Sequence, residues 1–513
     1  MRISIVFFLL LSLFQVAPSQ GTLSPVDVMT MGAYSVYPPI GHEYSRNIGI
    51  HNDSEYIMVI SGGKYLLTSS NGTTWNGQTV TLIQAPNAGA GGSPNNHHGI
   101  YGDLNGNIYW TYVWGCSGRL GAPVPRYFMK ARYREGTLDV GAAHVIRDSV
   151  NHVPNYFCSY TGFGGYPLGE DTVVIAYQWT DHVGHEEPHI LITYDGGASF
   201  QGLGGLIAID TGVNNPTGWG MSYAPQVVKY KNGIMAVWTG SGYYFRYRLF
   251  DGTSWGPVVS IPGSPSSSTA AAAFRLNSDE NNVYLLTPAN DGNQNLISFI
   301  YNGSAWSKHA LVLNQSYKIY YAVNTICGDY VLNFWTQNGT NGTDIFCLPY
   351  NRLTGTFATT PVTVIADSMP NRNLAAPYLC PGNVVPLAWC DGMTTTSHIR
   401  FCKIPLEYAV KDPTPAEKQL SKEKAAFPAF RSQPNPFSGS TILTYHLSEK
   451  SVVRLAVYNT EGKKVASLAD GTQEPGTYRI AWKPEKLAPG VYFARLLVNE
   501  RQYIEKVARI TPQ

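Results

Sequence analysis

Charged residues are few in this chain: Asp, Glu, Lys and Arg make up 14% of its 513 residues, and the formal net charge at pH 7 is +2. A nearly neutral chain has no electrostatic reason to bind nucleic acid or an acidic membrane, so we expect neither partner. Helical and disordered proteins are usually richer in charge. The composition instead favours an all-β protein with many turns, because glycine (51 residues) and tyrosine (34 residues) are abundant.

Long apolar runs are missing after the first twenty residues, so we expect no transmembrane segment. The chain starts with Met1-Arg2, continues with an apolar run from Ile3 to Val16, and reaches small residues before Gln20. A basic start, a short apolar core and a small-residue end are typical of a secretory signal peptide. The run is also shorter than a membrane span requires. Residues 1–20 are therefore predicted to be a signal peptide.

Cysteine is sparse and lacks the spacing of a metal site. No two cysteines are separated by just two residues, which excludes a zinc ribbon. Export would permit disulfides, but an odd number of cysteines leaves at least one thiol free, and the sequence does not determine any pairing. Isolated buried cysteines are the preferred interpretation, and we expect no metal and no other cofactor. The seven cysteines are at positions 116, 158, 327, 347, 380, 390 and 402.

A tight turn recurs six times, each copy with a glycine followed by an aromatic or aliphatic residue. Successive turn glycines are 64, 61, 55, 51 and 52 residues apart. A repeat of about this length, filled with strand-like segments, indicates a repeat architecture. The six glycines are Gly72, Gly136, Gly197, Gly252, Gly303 and Gly355.

Each repeat contains four strand-like segments in the same order, with Asn-Gly or Asp-Gly turns that favour hairpins. Four antiparallel strands per repeat, arranged radially, make a β-propeller. A seventh unit, from Asn373 to Tyr408, contains three strands, and Pro25–Met31 could supply its fourth. We therefore predict an all-β fold with a seven-bladed propeller over residues 22–408. A six-bladed ring is the alternative.

The glycine turns resemble the Asp-boxes of sialidase-like (BNR-repeat) propellers. Residues 193–200, Thr-Tyr-Asp-Gly-Gly-Ala-Ser-Phe, match the pattern Ser/Thr-x-Asp-x-Gly-x-x-Trp/Phe in full. Residues 68–75 carry Ser70 where the pattern has its Asp. In that family the boxes hold the turn between the third and fourth strands of a blade, away from the active site. The resemblance therefore implies a fold and not an activity.

Residues 409–430 are charged and contain prolines, which predicts a linker. Residues 431–513 resemble the C-terminal sorting domain of type IX secretion, with Pro434-Asn435-Pro436-Phe437 and Gly490-Val491-Tyr492-Phe493 among the matching residues. Their short alternating strands also predict a small Ig-like sandwich. The resemblance implies that type IX machinery carries the protein across the outer membrane of a Gram-negative bacterium, to be secreted or held at the surface. The alternative is an Ig-like module with no role in export.

The sialidase-like fold also implies which loops can form one site. Loops before the first strand of each blade share a face with the loops that join its second and third strands, and the latter are long in repeats two and three. Adjacent long loops beside a polar mouth suit an extended or branched ligand. We expect one concave, solvent-filled opening there, lined by Arg46, His97, His98, Arg119, His182, His185, Glu186, Tyr320 and Arg372.

Three of these residues are candidates for catalysis. Several propeller-fold polysaccharide lyases carry a catalytic histidine in the place of His97 and His98, which implies that His98 could act as the base. Glu186, or its neighbour Glu187, is a candidate glycosidase carboxylate, and the sequence identifies no second carboxylate to pair with it. Against these roles stand a structural histidine pair and an exposed loop carboxylate. A metal held by His182, His185, Glu186 and His189 is a weaker hypothesis than a solvated polar loop.

The remaining residues of this set are candidates for substrate binding. Arg46 resembles the first arginine of the sialidase carboxylate triad, but Asn47-Ile48 replaces the Ile-Pro that follows it in the family. We expect Arg46, with Arg372 as a second cation, to bind a ligand carboxylate. The other predicted substrate-binding residues are Arg119, His182, His185 and Tyr320.

Two functions remain open on the sequence. The first is a secreted or cell-surface propeller that binds glycans, acidic ones in particular, without catalysis, since aromatic side chains are abundant and no second or third triad arginine is identifiable. The alternative is a glycoside hydrolase or polysaccharide lyase that acts on acidic glycans. Whether the protein is an enzyme is therefore left undecided.

Overall fold

A computed structural model describes the chain as two compact units, Met1–Lys411 and Asp412–Gln513. Almost every element within the described residues is a β-strand. The described residues are 23, 25–32, 46–60, 64–83, 94–95, 99–114, 126–146, 163–180, 186–211, 225–240, 244–265, 274–291, 294–312, 319, 321–338, 343–366, 371–391, 396–410, 430–447, 450–474, 476–484, 487–499 and 501–511.

The first unit begins with strand β1 (Val26–Gly32) and continues with the first three blades. The first blade contains β2 (Ile48–His51), β3 (Glu55–Ile60), β4 (Tyr65–Ser69) and β5 (Asn76–Thr79). The second contains β6 (Pro94–Asn95), β7 (Ile100–Gly102), β8 (Asn107–Trp114), β9 (Arg126–Arg134), β10 (Thr137–Val140) and β11 (His144–Val145). The third contains β12 (Phe163–Pro167), β13 (Val173–Thr180), β14 (Glu186–Thr193) and β15 (Gln201–Gly202).

Four more sheets follow in the same unit. The fourth blade contains β16 (Gln226–Tyr230), β17 (Gly233–Thr239), β18 (Phe245–Phe250) and β19 (Val259–Ser260). The fifth contains β20 (Arg275–Ser278), β21 (Val283–Asp291), β22 (Gln294–Tyr301) and β23 (Trp306–Val312). The sixth contains β24 (Ala322–Cys327), β25 (Tyr330–Asn338), β26 (Thr343–Asn351), β27 (Thr356–Phe357) and β28 (Val362–Ile365). The last contains β29 (Asn371–Ala375), β30 (Val384–Asp391) and β31 (Thr396–Pro405), followed by the short helix α1 (Leu406–Ala409).

Strand order makes these sheets the blades of a propeller. In the third, fourth and fifth blades the strands pair antiparallel in sequence order, as in β12-β13-β14-β15. Inner strands of successive blades contact one another, from β2 and β7 through to β24 and β29. A shared core of Ile48, Ile50, Ala388 and Cys390 then joins the first blade to the last. The all-β propeller predicted from the sequence is confirmed, and the described residues contain seven such sheets.

The last blade takes its outer strand from the start of the chain. Strand β1 pairs antiparallel with β31, from Val26 opposite Phe401 to Gly32 opposite Thr396. The prediction that Pro25–Met31 supplies this strand is therefore confirmed, with the strand one residue further along. Residues far apart in sequence thus close the ring through backbone hydrogen bonds, and β1 covers the edge that β31 would otherwise expose.

The six predicted glycine turns all join the third and fourth strands of a blade. Each of the six glycines has a positive φ, from 73° at Gly355 to 104° at Gly252. In five of the six copies an Asp or Asn one to four positions before the glycine accepts hydrogen bonds from backbone N–H groups of the turn. Asp251 Oδ1, for example, accepts from the N–H groups of Thr253 and Ser254, both at 2.8 Å. This is the local chemistry that makes Asx residues favourable in turns.

Residues 193–200 have the full Asp-box geometry. Thr193 Oγ1 donates to Asp195 Oδ1 at 2.7 Å and accepts from Gly197 N at 2.8 Å. Asp195 Oδ1 also accepts from Ser199 N at 2.9 Å. Hydrogen bonds from the hydroxyl and the backbone N–H of Ser199, and from the hydroxyl of Thr193, hold the pKa of Asp195 well below its usual range. The turn is therefore held by the ionised carboxylate.

The first turn uses the same geometry with different residues. Ser69 Oγ accepts from Gly72 N at 2.8 Å, and Asn71 Oδ1 accepts from Thr73 N and Thr74 N at 2.8 and 2.9 Å. The sequence alignment with the Asp-box placed Ser70 at the acid position. The structure corrects this by one residue, because the amide oxygen of Asn71 makes the hydrogen bonds of the acid.

Gly197→Ala is expected to lower the free energy of unfolding by about 2–4 kcal/mol, since it combines backbone strain with overpacking. Gly197 has φ +103°, and a Cβ added there would clash with the Phe128 ring of the neighbouring blade. Gly205→Ala is the matched control, because at φ +77° its added Cβ meets no atom within 4 Å. Denaturant unfolding should show a clearly larger loss for Gly197→Ala, and equal losses would contradict the packing argument.

The second unit is a small β-sandwich. Its core contains Tyr445, Leu455, Trp482 and Leu496. One sheet has the order β32-β33-β36 and the other β35-β34-β37-β38. These strands are β32 (Arg431–Gln433), β33 (Thr441–Leu447), β34 (Ser451–Tyr458), β35 (Lys464–Gln473), β36 (Gly476–Trp482), β37 (Gly490–Val498) and β38 (Arg501–Arg509).

Candidate functional site

Most of the residues predicted for the site fall outside the described residues. These are His97, His98, Arg119, His182, His185 and Tyr320. For Glu186 and Arg372 the structure describes the backbone only: Glu186 begins β14, and Arg372 lies in β29. Their catalytic and substrate-binding roles stay predictions. The predicted signal peptide and residues 411–429 of the predicted linker also lie outside the described part.

Arg46 is described, and it does not face an open mouth. Its side chain is only 1% exposed. Its Nη1 donates to the carbonyl oxygen of Asn324 at 2.6 Å, and its Nη2 donates to the carbonyl oxygen of Leu276 and to Asn324 Oδ1, both at 2.8 Å. The expectation of a solvent-exposed clamp at this position is therefore corrected: protein acceptors already occupy the guanidinium. Its role in ligand binding stays a prediction.

The Arg46 guanidinium connects blades across the ring. It lies over the ring of Tyr378, 4.2 Å from the ring centroid, and Tyr378 Oη donates to the carbonyl oxygen of Gly165 at 2.8 Å. Arg46 Nη1 also donates to the carbonyl oxygens of Ala376 and Pro377 in the last blade, at 3.5 and 3.4 Å. Acceptors from the fifth, sixth and last blades thus meet a donor from the first, while Tyr378 reaches the third. Burial lowers the pKa of Arg46, and the nearby Tyr378 opposes that effect. A buried cation with this many acceptors is a structural brace.

Arg126 is another buried cation, and its guanidinium is less fully hydrogen-bonded within the described residues than that of Arg46. It begins β9 beside the long loop of the second blade, and it is 4% exposed. Among the described residues, none accepts a hydrogen bond from its buried Nη1. Burial lowers its pKa to about 10, which still leaves the group charged at neutral pH. Its guanidinium lies 4.8 Å from the centroid of the Phe163 ring.

A row of aromatic side chains crosses the third blade next to Arg126. Phe163 pairs with Tyr177 across β12 and β13, and Tyr177 pairs with His189 across β13 and β14. The Phe163 and Tyr177 rings are 5.8 Å apart, and the Tyr177 and His189 rings are 5.3 Å apart. We call Phe163, Tyr177 and His189 the third-blade row. It starts at the Arg126 cation and runs outward along the blade.

The outer end of the third-blade row carries a stack and a carboxylate. The rings of Trp179 and His189 are parallel, with an interplanar angle of 1° and centroids 5.6 Å apart. His189 Nε2 lies 3.1 Å from Glu187 Oε2, and its Nδ1 lies 3.2 Å from the hydroxyl of Tyr177. An imidazole held between an acid and a phenol has a defined orientation, which a residue that binds or transfers protons requires.

Topology places Arg126 and the third-blade row on the predicted ligand face. Arg126 and Glu187 lie near the starts of third strands, Trp179 near the end of a second strand, and Phe163 at the start of an inner strand. In the sequence His189 is a candidate only as a metal ligand, and no motif marks Arg126. The sequence does contain one signal for a buried cation, because Arg126 begins a strand whose next residues are apolar. A strand pattern does not show, however, whether that arginine has a hydrogen-bond acceptor.

A metal site and a membrane helix find no support in the described part of the chain. It contains no group of three or more His, Cys, Asp or Glu side chains placed to hold a metal ion. Within the same residues, no helix has the length and apolar character needed to cross a bilayer.

Comparison with known families identifies the second unit. Residues 433–509 match the family described as the secretion system C-terminal sorting domain. These residues are a sorting domain. The match falls within the segment 431–513 that the sequence assigned to type IX secretion, and it makes the protein a secreted or outer-surface protein. The sorting domain covers less than a fifth of the chain, so it identifies the route of the protein and not its activity.

Solved structures similar to the chain include sialidases. A Trypanosoma rangeli sialidase in complex with sialic acid is 12% identical, with a TM-score of 0.40, over 96% of this chain and 89% of that one. The NanB sialidase from Streptococcus pneumoniae is 10% identical, with a TM-score of 0.38, over 75% and 71% of the two chains. At these scores the likeness carries no argument about activity. A search of curated proteins found no match.

Proposed function

We propose that this secreted propeller binds acidic glycans, and that Arg126 and the partly exposed Trp179, at the two ends of the buried third-blade row, form part of the binding surface. The observation that carries the proposal is the buried Arg126 guanidinium, whose Nη1 meets no acceptor among the described residues. A buried charge without a partner is unfavourable, so a ligand carboxylate or sulfate that supplies the missing acceptor would gain charge-assisted hydrogen bonds.

The aromatic residues beside Arg126 suit a sugar ring. Trp179 is only partly buried and stacks on His189, which leaves an amphipathic surface at the edge of the blade. Aromatic side chains of this kind combine an apolar face with polar edges, as a sugar does. Arg126 lies at one end of the row, and the partly exposed indole of Trp179 stacks on the other end. This arrangement therefore favours a ligand that has both an anionic group and a pyranose ring.

Arg126→Met is expected to weaken binding of an acidic polysaccharide at least about tenfold, because charge-assisted hydrogen bonds are lost. Calorimetric titration with polygalacturonate, hyaluronan and chondroitin sulfate, with neutral dextran as the reference ligand, measures this. The wild-type affinity should fall as salt rises, whereas the residual binding of Arg126→Met should depend less on salt.

Arg132→Met is the matched control. Arg132 lies on the same strand but forms ion pairs with Glu170 at 2.8 Å and Asp139 at 3.3 Å. It should keep wild-type affinity. Arg126→Met should also keep wild-type thermal stability without ligand, since it removes no hydrogen bond between described residues. Unchanged affinity in Arg126→Met, or a fall in stability that accounts for weaker binding, would count against the proposal.

One contact favours an enzyme as the second candidate. Glu187 orients His189 in the way a carboxylate orients a catalytic imidazole, and Arg126 could stabilise negative charge that develops on an acidic substrate. Incubating the mature protein with the same polysaccharides, while following unsaturated products and reducing ends, tests this. Turnover that disappears in His189→Ala with binding retained would establish catalysis at this pair. Absence of turnover on every polymer would leave the binding function alone.

A further inference from the structure

Two of the cysteines lie side by side between the sixth and last blades. Cys327 ends β24, and Cys380 lies in the segment that follows β29. The preceding residues, Ile326 and Leu379, form a parallel bridge. Cys380 N donates to the carbonyl oxygen of Ile326 at 2.8 Å, and Ile326 N donates to that of Tyr378 at 3.1 Å.

This register makes the two cysteines cross-strand neighbours. In a parallel pair the residues that follow a bridge also lie opposite each other, and paired strands are about 4.8 Å apart. A disulfide needs Cα atoms about 4.4–6.8 Å apart, so backbone geometry meets the requirement.

The side chains of the pair lie on the same side of the strands. Cys380 Sγ is 3.2 Å from Thr325 Oγ1, and Thr325 shares its strand face with Cys327 because alternate residues point the same way. Burial, and next a hydrogen bond with Cys327, raises the pKa of the Cys380 thiol. The two thiols are therefore in contact, and both are free in this structure.

We propose that Cys327 and Cys380 form a disulfide in the exported protein. A protein disulfide of the thiol-oxidant class supplies the oxidation: one cysteine thiolate attacks it to form a mixed disulfide, and the second thiolate displaces the oxidant. A bond forms between the two Sγ atoms, two protons leave, and two electrons reduce the oxidant to its dithiol. Since Cys327 is buried and Cys380 is only partly exposed in the folded ring, the reaction takes place while the chain folds.

The route of the protein supplies suitable conditions. The sorting domain marks a chain that leaves the cytoplasm, and the bacterial periplasm is kept oxidising. The bond would close a loop of 52 intervening residues and link the sixth blade to the last, the blade that β1 completes. It would therefore reinforce the ring beside its point of closure.

Other described cysteines lack this arrangement. Cys347 lies on β26, which β25 separates from β24. On the last blade, Cys390 is opposite Ile399 and Cys402 is opposite Leu387, so those two do not face each other. Cys347 provides a matched control, because it is buried in the same core cluster as Cys327.

The test uses the full chain exported to the periplasm of a bacterial host. Free thiols are alkylated under denaturing conditions, and trypsin with chymotrypsin separates Cys327 from Cys347 and Cys380 from Cys390. Mass spectrometry should find the Cys327 and Cys380 peptides linked and two hydrogen atoms lighter than their reduced sum. Alkylation of both residues in the wild-type protein would overturn the proposal, and this result does not depend on any variant folding.

A second measurement follows stability. Reductant should lower the Tm of the wild-type protein by about 5 °C, since the cross-link constrains the unfolded chain. Cys327→Ser should already melt at that lower temperature and respond no further, whereas Cys347→Ser should keep the linked peptides and the response to reductant. An equal response to reductant in Cys327→Ser and in the wild type would also contradict the assignment.

Discussion

Arg46→Met is expected to lower the free energy of unfolding of the propeller by about 3–5 kcal/mol, because it leaves several buried acceptors without a donor. The carbonyl oxygens of Leu276 and Asn324 and the Oδ1 atom of Asn324 would lose their hydrogen bonds. These acceptors come from two blades, so the loss weakens the ring across its centre. Thermal and denaturant unfolding measure the effect.

Arg46→Lys separates charge from geometry in that experiment. A lysine keeps the positive charge but lacks the fork that reaches acceptors on separate strands, so we expect it to restore only part of the stability. Arg132→Met, which removes a partly exposed arginine, should leave unfolding nearly unchanged. If Arg46→Met unfolded like the wild type but lost affinity for an acidic glycan, Arg46 would be a ligand clamp, as its sequence position first indicated.

Removal of residues 431–513 is expected to abolish delivery to the cell surface in a host with type IX secretion. The matched family describes sorting, and the removed segment contains its whole match, 433–509. The truncated propeller should accumulate in the periplasm. Immunoblots of periplasmic, outer-membrane and culture fractions measure its location.

The truncated propeller should remain folded, because the two units have separate hydrophobic cores. Leu455 and Trp482 belong to a cluster formed only by the second unit. Resistance to protease compared with that of the full chain checks this, so that loss of delivery is not confused with degradation. A reporter fused to residues 431–513 provides the positive control. Normal surface delivery of the truncated chain would show that the second unit has no role in export.

Local chemistry explains why the blades could be predicted from the sequence. A glycine at positive φ beside an Asp or Asn that caps the next N–H groups is a feature of a few adjacent residues. Gly197 and Asp195 show it in full. The same local character explains the one-residue error at the first turn, since either Ser69 or Thr68 could start the motif until backbone hydrogen bonds selected Ser69.

The candidate site was less accessible to sequence reasoning because its properties depend on distant residues. Arg46 and Arg126 both precede apolar strand residues and look alike in sequence. The residues that accept hydrogen bonds from the Arg46 guanidinium are 230 to 331 positions away in sequence. No described residue accepts a hydrogen bond from Arg126 Nη1. Only the folded ring shows that Arg46 has a structural role and that Arg126 is a candidate anion-binding residue.

The sequence by itself determined the all-β repeat, the turn that begins each fourth strand, the strand that completes the last blade and the sorting domain. The repeat, its turns and the sorting domain depend on short-range patterns of turn residues and alternating strands, which neighbouring residues control, whereas the completing strand followed from the three strands counted in the seventh unit. The tertiary structure alone decided which buried arginine is satisfied and which cysteines are neighbours. Those outcomes depend on the register between blades, because residues such as Arg46, Asn324 and Tyr378 meet only when the ring closes.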